Sequence, residues 1–263
     1  MFRSLYSAAS GMEAQELNLD NIANNLANSN TSGFRRRTLQ FEDLLYQNLI
    51  SPGAPNTQQT VIPAGLQIGL GSRPSTTEVV QQEGNFDLTG NQLDLAIQGG
   101  GFFQVLLPSG EIAYPRAGNF SVDNVGNIVT SDGNPLQPGI TIPPNALTVT
   151  VGNDGTVSVT APGQQQPAQI GTIQLATFQN PAGLNSVGSN LFLATGASGD
   201  PLIGTPGGAE GLGTIQQGAL EESNVNVVEE FINLILAQRS YEANSRVVRA
   251  ADEMFQTLNG LTT

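Results

Sequence analysis

Apolar residues recur every seven positions near each end of the chain. Leu5, Met12, Leu19 and Leu26, with Ala8 and Ile22 interleaved, predict an amphipathic helix. Gln15 interrupts its seam, Gly11 weakens it slightly, and Thr31-Ser32-Gly33 ends it. The second seam runs through Val227, Leu234, Tyr241, Val248 and Phe255, with Ala237, Ala251 and Leu258 between them. Asn226 is placed to cap that helix, and Glu229 stands where a capping box needs it. No Gly or Pro interrupts Val227 to Asn259, and Gly260 is the predicted stop.

Between the ends the pattern turns to β. Short β-branched runs alternate with Gly, Pro, Asn and Asp. Leu147–Val151 and Thr156–Thr160 flank Gly152-Asn153-Asp154-Gly155 and predict a hairpin. Ala113-Tyr114, Phe120–Val122, Asn127–Thr130 and Gln169–Ile173 read as further strands, with Asp123–Gly126 and Asp132–Pro135 as turns. Ala161–Pro167 and Gly196–Gly213 read as loops, and Gln47–Gly65 as an extended Gln-, Pro- and Thr-rich arm.

The predicted fold class is α+β. Long N- and C-terminal helices pair as a coiled-coil domain, joined by an extended arm to a mainly-β outer domain. The boundaries are 1–30 for the first helix, 31–75 for the arm, 76–221 for the β domain and 222–263 for the second helix. Pairing the two seams with each other is the simplest way to bury them. One partner is not enough, however. The large side chains of Phe231–Ala237 span about 200° of the helix, more than a single neighbour covers. Asn18, Asn21, Asn25 and Asn28 form a stripe on the first helix, and Asn is a poor interior helix former. A row of amides on one face suggests hydrogen bonding to other backbones. Both faces are therefore expected to be buried between copies of the chain.

Composition narrows the chemistry. Among 263 residues there is no Cys or His, and all nine basic residues are Arg. Ser-His-Asp and Cys-His catalysis, Schiff-base chemistry, Walker-type phosphate binding and His- or Cys-ligated metal sites are excluded. A carboxylate pair or a carboxylate-bound cation remains. The net charge of −13 argues against nucleic acid and against anionic lipid. No stretch approaches the ~20 apolar residues of a membrane span. The first residues lack the pattern of a secretory signal, which by itself reads as cytosolic. The 24 Asn and 22 Gln against 31 charged residues suggest a surface made to pack against protein. Gly69-Leu70-Gly71 and Gly99-Gly100-Gly101 only imitate nucleotide loops, and Asp123–Asn127 lacks the ligand count of a calcium loop. Arg35, Arg36 and Arg37, the one basic cluster, read either as a solvated turn or as a contact to a neighbour's acidic face, for which Glu221, Glu222, Glu229, Glu230, Asp252 and Glu253 are candidates.

Specific motifs lie at both ends and in the middle. Leu19–Asn30 is an Asn-rich helix that runs into Thr31-Ser32-Gly33-Phe34 and a basic residue. Gln217–Asn226 and Gln238–Asn244 form a matching end motif. Leu93–Phe103, Gly110–Phe120 and Phe178–Leu184 follow in order. Together they resemble bacterial flagellar rod and hook proteins nearly end to end. The length suits a rod protein. Phe41–Gln47 resembles the segment that follows the signature in distal rod proteins, and Tyr46–Gln67, including Ser51–Ala54 and Pro63–Gln67, resembles the insertion that marks the distal part of the rod.

The resemblance implies a structural subunit of the flagellar distal rod, with no enzymatic activity and no cofactor. Such subunits polymerise into a rigid helical tube that transmits motor torque to the hook. The implied partners are further copies of the chain, proximal rod proteins below, hook protein above, the surrounding P- and L-ring proteins, and the flagellar type III export apparatus. Nucleic acid and membrane insertion are not implied. The implied location is the periplasm-spanning rod, reached without a cleaved signal peptide. The residues expected at the assembly interface are Leu5, Met12, Leu19, Asn21, Ile22, Asn25, Leu26, Asn28, Gly33, Phe34, Val227, Phe231, Leu234, Ile235, Tyr241, Val248, Phe255 and Leu258. Those expected in a stiffening arm are Tyr46, Gln47, Pro52, Gly53, Pro63, Gly65 and Leu66. A proximal rod protein, a β-rich adhesin with a coiled-coil stalk and a carboxylate-based peptidoglycan hydrolase are the alternatives. The hydrolase would need two carboxyls about 5–9.5 Å apart in a cleft.

Overall fold

The computed structural model describes residues 2–53, 63–163, 166–208 and 211–261. The chain forms two compact units, one of residues 1–27, 37–78 and 226–263 and one of residues 28–36 and 79–225.

The first unit holds both helices, α1 (Phe2–Ala27) and α2 (Val227–Leu261), which pack against each other. Asn226 caps α2: its Oδ1 accepts the backbone N–H groups of Val228 and Glu229. The deepest positions of α1 are Ala8, Ala14, Ile22 and Asn25. On α2 the buried Glu230, Ala237 and Ala251 and the half-buried Asn244 stand seven apart. This row is smaller and more polar than the expected one, in which Val227 and Tyr241 are exposed. Close approach explains the difference. A Cβ added at Gly11 would lie 2.8 Å from Asn244 Nδ2, so Gly11 leaves the room that the Asn244 side chain occupies.

The same unit contains two ribbons of paired strands where one extended arm was expected. β1 (Arg37–Asp43) is bonded to β4 (Ser72–Val79), and β2 (Tyr46–Ile50) to β3 (Leu66–Gly69). Tyr46 faces Gly69 and Ile50 faces Leu66, with an irregularity between Asn48 and Ile50. Every residue of β2 is exposed, so no apolar–polar alternation announced the strand. The arm positions Ala54, Pro55 and Asn56, with the rest of 54–62, lie outside the described residues, as do parts of the loops expected at 161–167 and 196–213.

The second unit is built on strands β5 (Phe86–Leu88), β6 (Leu95–Gln98), β7 (Val105–Leu106), β8 (Ile112–Ala113), β9 (Ser121–Val122), β10 (Ile128–Val129), β11 (Thr148–Val151), β12 (Thr156–Thr160), β13 (Ala168–Thr172), β14 (Leu175–Thr177), β15 (Asn185–Gly188), β16 (Leu191–Leu193), β17 (Leu202–Gly204), β18 (Thr214–Gln217) and β19 (Ala219–Glu221). The expected hairpin is present: β11 and β12 pair antiparallel with Val151 opposite Val157, and β13 extends them to three strands. Many small sheets replace one large one. β15, β16, β8 and β7 form a four-stranded sheet; β18 pairs with β6 and β19 with β5, so strands late in the chain close onto strands early in the β unit.

One apolar core unites these sheets. Phe103, Ile97, Leu136, Ile173, Leu175, Ile215, Val105 and Val157 are fully buried in it. A second, aromatic cluster gathers Phe102, Tyr114, Phe178 and Phe192, with the Tyr114 and Phe178 rings edge to face at 4.8 Å. Phe103 meets Phe120 in the same geometry at 5.1 Å and has no exposed surface. Phe103→Ala is expected to destabilise the unit by about 3–5 kcal/mol, read as a lower denaturant midpoint in urea titration.

Candidate assembly surfaces and a buried ionic centre

The residues expected at an interface divide into three groups. The first group is engaged within the chain. Asn21 and Asn25 each donate from Nδ2 to the carbonyl of Arg37 at 2.8 Å, and Asn25 Oδ1 accepts the Arg37 N–H at 3.0 Å. Asn25 is 1% exposed, so it is not available to a neighbour. The amide row does bind backbone, but the backbone is the start of this chain's own β1. Asn28 accepts the Thr31 hydroxyl within the second unit. Gly33 is buried there too. Its N–H donates to the Glu221 carbonyl at 2.8 Å, its φ is +69°, and an added Cβ would meet the Ala117 nitrogen at 2.5 Å. Half-buried Phe34 accepts the Asn224 N–H at 3.4 Å.

The second group lies at the margins of the helices. Leu5, Met12, Leu19 and Leu26 on α1, and Leu234, Val248 and Phe255 on α2, are half-buried; Ile22 is buried. The Leu258 side chain lies outside the described residues.

The third group is uncovered. Val228, Phe231, Ile232, Ile235 and Leu236 are 68%, 49%, 54%, 51% and 59% exposed. They are spaced three and four apart and so form one continuous apolar face on the first turns of α2. Val227 and Tyr241 extend it. An apolar face of this kind marks an interaction site. The arm adds a second patch. Leu45, Tyr46, Leu49, Ile50 and Leu66 are all exposed, as are Gln47, Pro52, Gly53 and Pro63, while Gly65 is half-buried. Val228, Ile232 and Leu236 were absent from the expected set. Ile232 and Leu236 belong to the Phe231–Ala237 run whose apolar arc exceeds what one neighbour covers, and Val228 continues it at helical spacing.

The basic cluster at Arg35 corrects both readings offered for it. Arg35 is neither solvated nor turned toward a neighbour: its side chain is 4% exposed and its Nη2 lies 2.7 Å from Glu221 Oε1. Arg116 Nε bonds the other oxygen of Glu221, and its two terminal nitrogens donate to the carbonyls of Ile97, Gly99 and Gly101. The triple glycine that imitated a phosphate loop is therefore an acceptor cradle for an arginine. Gly84 N–H adds a bond to Glu221 Oε1 at 3.1 Å, and Arg35 Nη1 donates to the Gln82 carbonyl. Burial draws the Arg35 guanidinium below its ordinary value, and the charge of Glu221 opposes that shift. The physical reason for the inward turn is collective: a lone buried ion is very costly, whereas two guanidiniums around one carboxylate, with carbonyl acceptors, compensate each other.

Exposed apolar faces of this kind are the general mark of a protein that assembles with others. The comparisons with known proteins agree. The flagella basal body rod protein family matches residues 5–35, the FlgE/F/G hook protein D1 domain residues 96–159, and the C-terminal region of the flagellar basal body rod FlgEFG proteins residues 216–261. The flagellar basal-body rod protein FlgG of Caulobacter vibrioides is 48% identical over 260 residues, covering 98% of this chain and 99% of that one. FlgG of Buchnera aphidicola from Schizaphis graminum is 47% identical over 261 residues, covering 99% and 100%. FlgG of Bacillus subtilis is 40% identical over 266 residues, covering 99% of each chain. The chain belongs to the flagellar basal-body rod family, and its role is structural, not enzymatic.

Glu221→Gln leaves two buried guanidiniums facing a neutral amide. It is expected to destabilise the β unit by about 3–5 kcal/mol in denaturant titration. Glu42→Gln, which removes the exposed partner of Arg73, is expected to leave the denaturant midpoint nearly unchanged in the same measurement.

Proposed function

We propose that this chain is a structural subunit of the flagellar distal rod, and that copies stack into a rigid helical tube carrying motor torque toward the hook. The observation that carries this reading is the exposed face of Val228, Phe231, Ile232, Ile235 and Leu236 in a chain related along its full length to basal-body rod proteins. A chain that keeps five large apolar residues of one helix in water is stabilised when a second copy covers them, at about 25 cal/mol per Å² of apolar area removed. A contact between different patches on successive copies does not close on itself and builds an open filament.

In this reading α1 and α2 pair as the inner, coiled-coil part of the subunit, and the half-buried Leu5, Met12, Leu19, Leu234, Val248 and Phe255 complete their burial against neighbouring helices. The β2–β3 ribbon is the stiffening arm. Its residues lie open on both faces, as a bridge between neighbours requires, and its sequence resembles the insertion of distal-rod proteins. Proximal rod proteins, hook protein and the P- and L-ring proteins are the further partners. The chain reaches the periplasm-spanning rod through the flagellar type III export apparatus.

Exposed positions test assembly more cleanly than the half-buried Leu19 and Leu234, where a charge would also disturb the packing within one chain. Ile235→Asp is expected to leave the melting temperature of the isolated chain within about 2 °C of wild type, since surface changes rarely exceed ±0.5 kcal/mol. The same variant is expected to abolish rod assembly and swimming, because a neighbour would have to bury an unpaired carboxylate. Motile cells carrying it would refute the interface. Deletion of residues 47–65 is expected to permit export but to give rods that bend; electron micrographs of straight rods would remove the arm from the account of stiffness.

A further inference from the structure

Three stretches of the second unit carry the four crossings of the chain into the first: 28–36, out of α1 and into β1, 80–85, out of β4, and 221–225, into α2. They are stitched to one another at one place. Asn224 is the centre of the stitching. Its Oδ1 accepts the Arg36 N–H at 2.6 Å, its Nδ2 donates to the carbonyls of Val80 at 3.0 Å and Gln82 at 2.8 Å, and its own N–H reaches the Phe34 carbonyl. One side chain thus joins all three stretches. Val80 N–H donates to the Arg36 carbonyl, Gly33 N–H to the Glu221 carbonyl and Glu222 N–H to the Asn85 carbonyl, each at 2.8 Å. Beneath them, Arg35 and Arg116 grip Glu221, and Arg116 anchors the group to the strand end and glycine turn at Ile97, Gly99 and Gly101.

We infer that Asn224, with the Arg35–Glu221–Arg116 centre, is the clamp through which the subunit carries mechanical force. Any force carried along the chain between the helices and the β unit enters the β unit through these stretches. Joined, they share it, and no single strand is peeled from its sheet alone. The pairing also suits shear. Gly33 bonds Glu221 and Phe34 bonds Asn224, so the two stretches run in the same direction. Tension applied at the N-terminal end of one and the C-terminal end of the other must break their bonds together. Asn224 and Glu221 are positioning residues here, acting through backbone and arginine partners.

The inference rests on the reading of the chain as a torque-carrying rod subunit, but its test needs only a single full-length chain. The sequence has no Cys, so engineered cysteines give unambiguous handles for single-molecule pulling. Asn30→Cys with Val228→Cys loads the clamp, and Ser109→Cys with Asp200→Cys loads the β unit along an axis that avoids it; all four positions are exposed. Asn224→Ala, and separately Asn224→Asp, which keeps the acceptor and loses the Nδ2 donors, are expected to lower the rupture force on the first axis and leave the second unchanged. An unchanged force on the first axis, or an equal fall on both, would overturn the clamp. The second of these outcomes would reduce Asn224 to an ordinary stabilising residue, whatever the assembled rod does.

Discussion

A carboxylate taken out of water must be compensated where it stands, and Glu221 is compensated by guanidinium groups from two distant parts of the chain. Arg35 follows the first helix by a few residues, Arg116 sits deep in the β unit, and Glu221 closes the last strand before the second helix. None of the three is stable buried without the others. The beginning and end of the sequence are thereby held together in one unit, and the residues around them follow. Gly33 must be glycine to bring its peptide against Ala117, Gly99 and Gly101 present carbonyls to Arg116, and Asn224 spans the remaining gap. What resembles a basic surface patch in the sequence is an internal fastening.

The helices present the opposite situation. Their contact includes small residues, with Gly11 against Asn244 and Ala237 and Ala251 buried on the same row, while many of the largest apolar side chains of α2 stay outside. A single chain thus buries its ionic and aromatic interior and leaves one helix and one ribbon uncovered. The uncovered apolar surface is concentrated on the first turns of α2 and on the β2–β3 ribbon, whereas the β unit has an apolar core and an aromatic cluster of its own.

Much of this was legible in the sequence. The two terminal helices follow from their apolar periodicity and from the Asn226 cap, and the hairpin at 148–160 follows from β-branched runs around a Gly-Asn-Asp-Gly turn. The surplus of apolar surface on Phe231–Ala237 was likewise readable by angular counting alone. The β2–β3 ribbon was not, because strands exposed on both faces have no reason to alternate. Nor was the fate of Asn21 and Asn25. Their residue type foretold backbone hydrogen bonding, but nothing local says whether the backbone belongs to the same chain or another.

By itself, then, the sequence determined the local elements, the excluded chemistries and the presence of more apolar helix surface than one chain can hide, since each depends on spacing or on residue type. Tertiary structure alone decided which charged and amide groups face inward. Burial of Arg35, Arg116, Glu221 and Asn25 depends on partners brought together from as far as residues 35 and 221, and the energy of a buried charge is set by those partners, not by its neighbours in sequence.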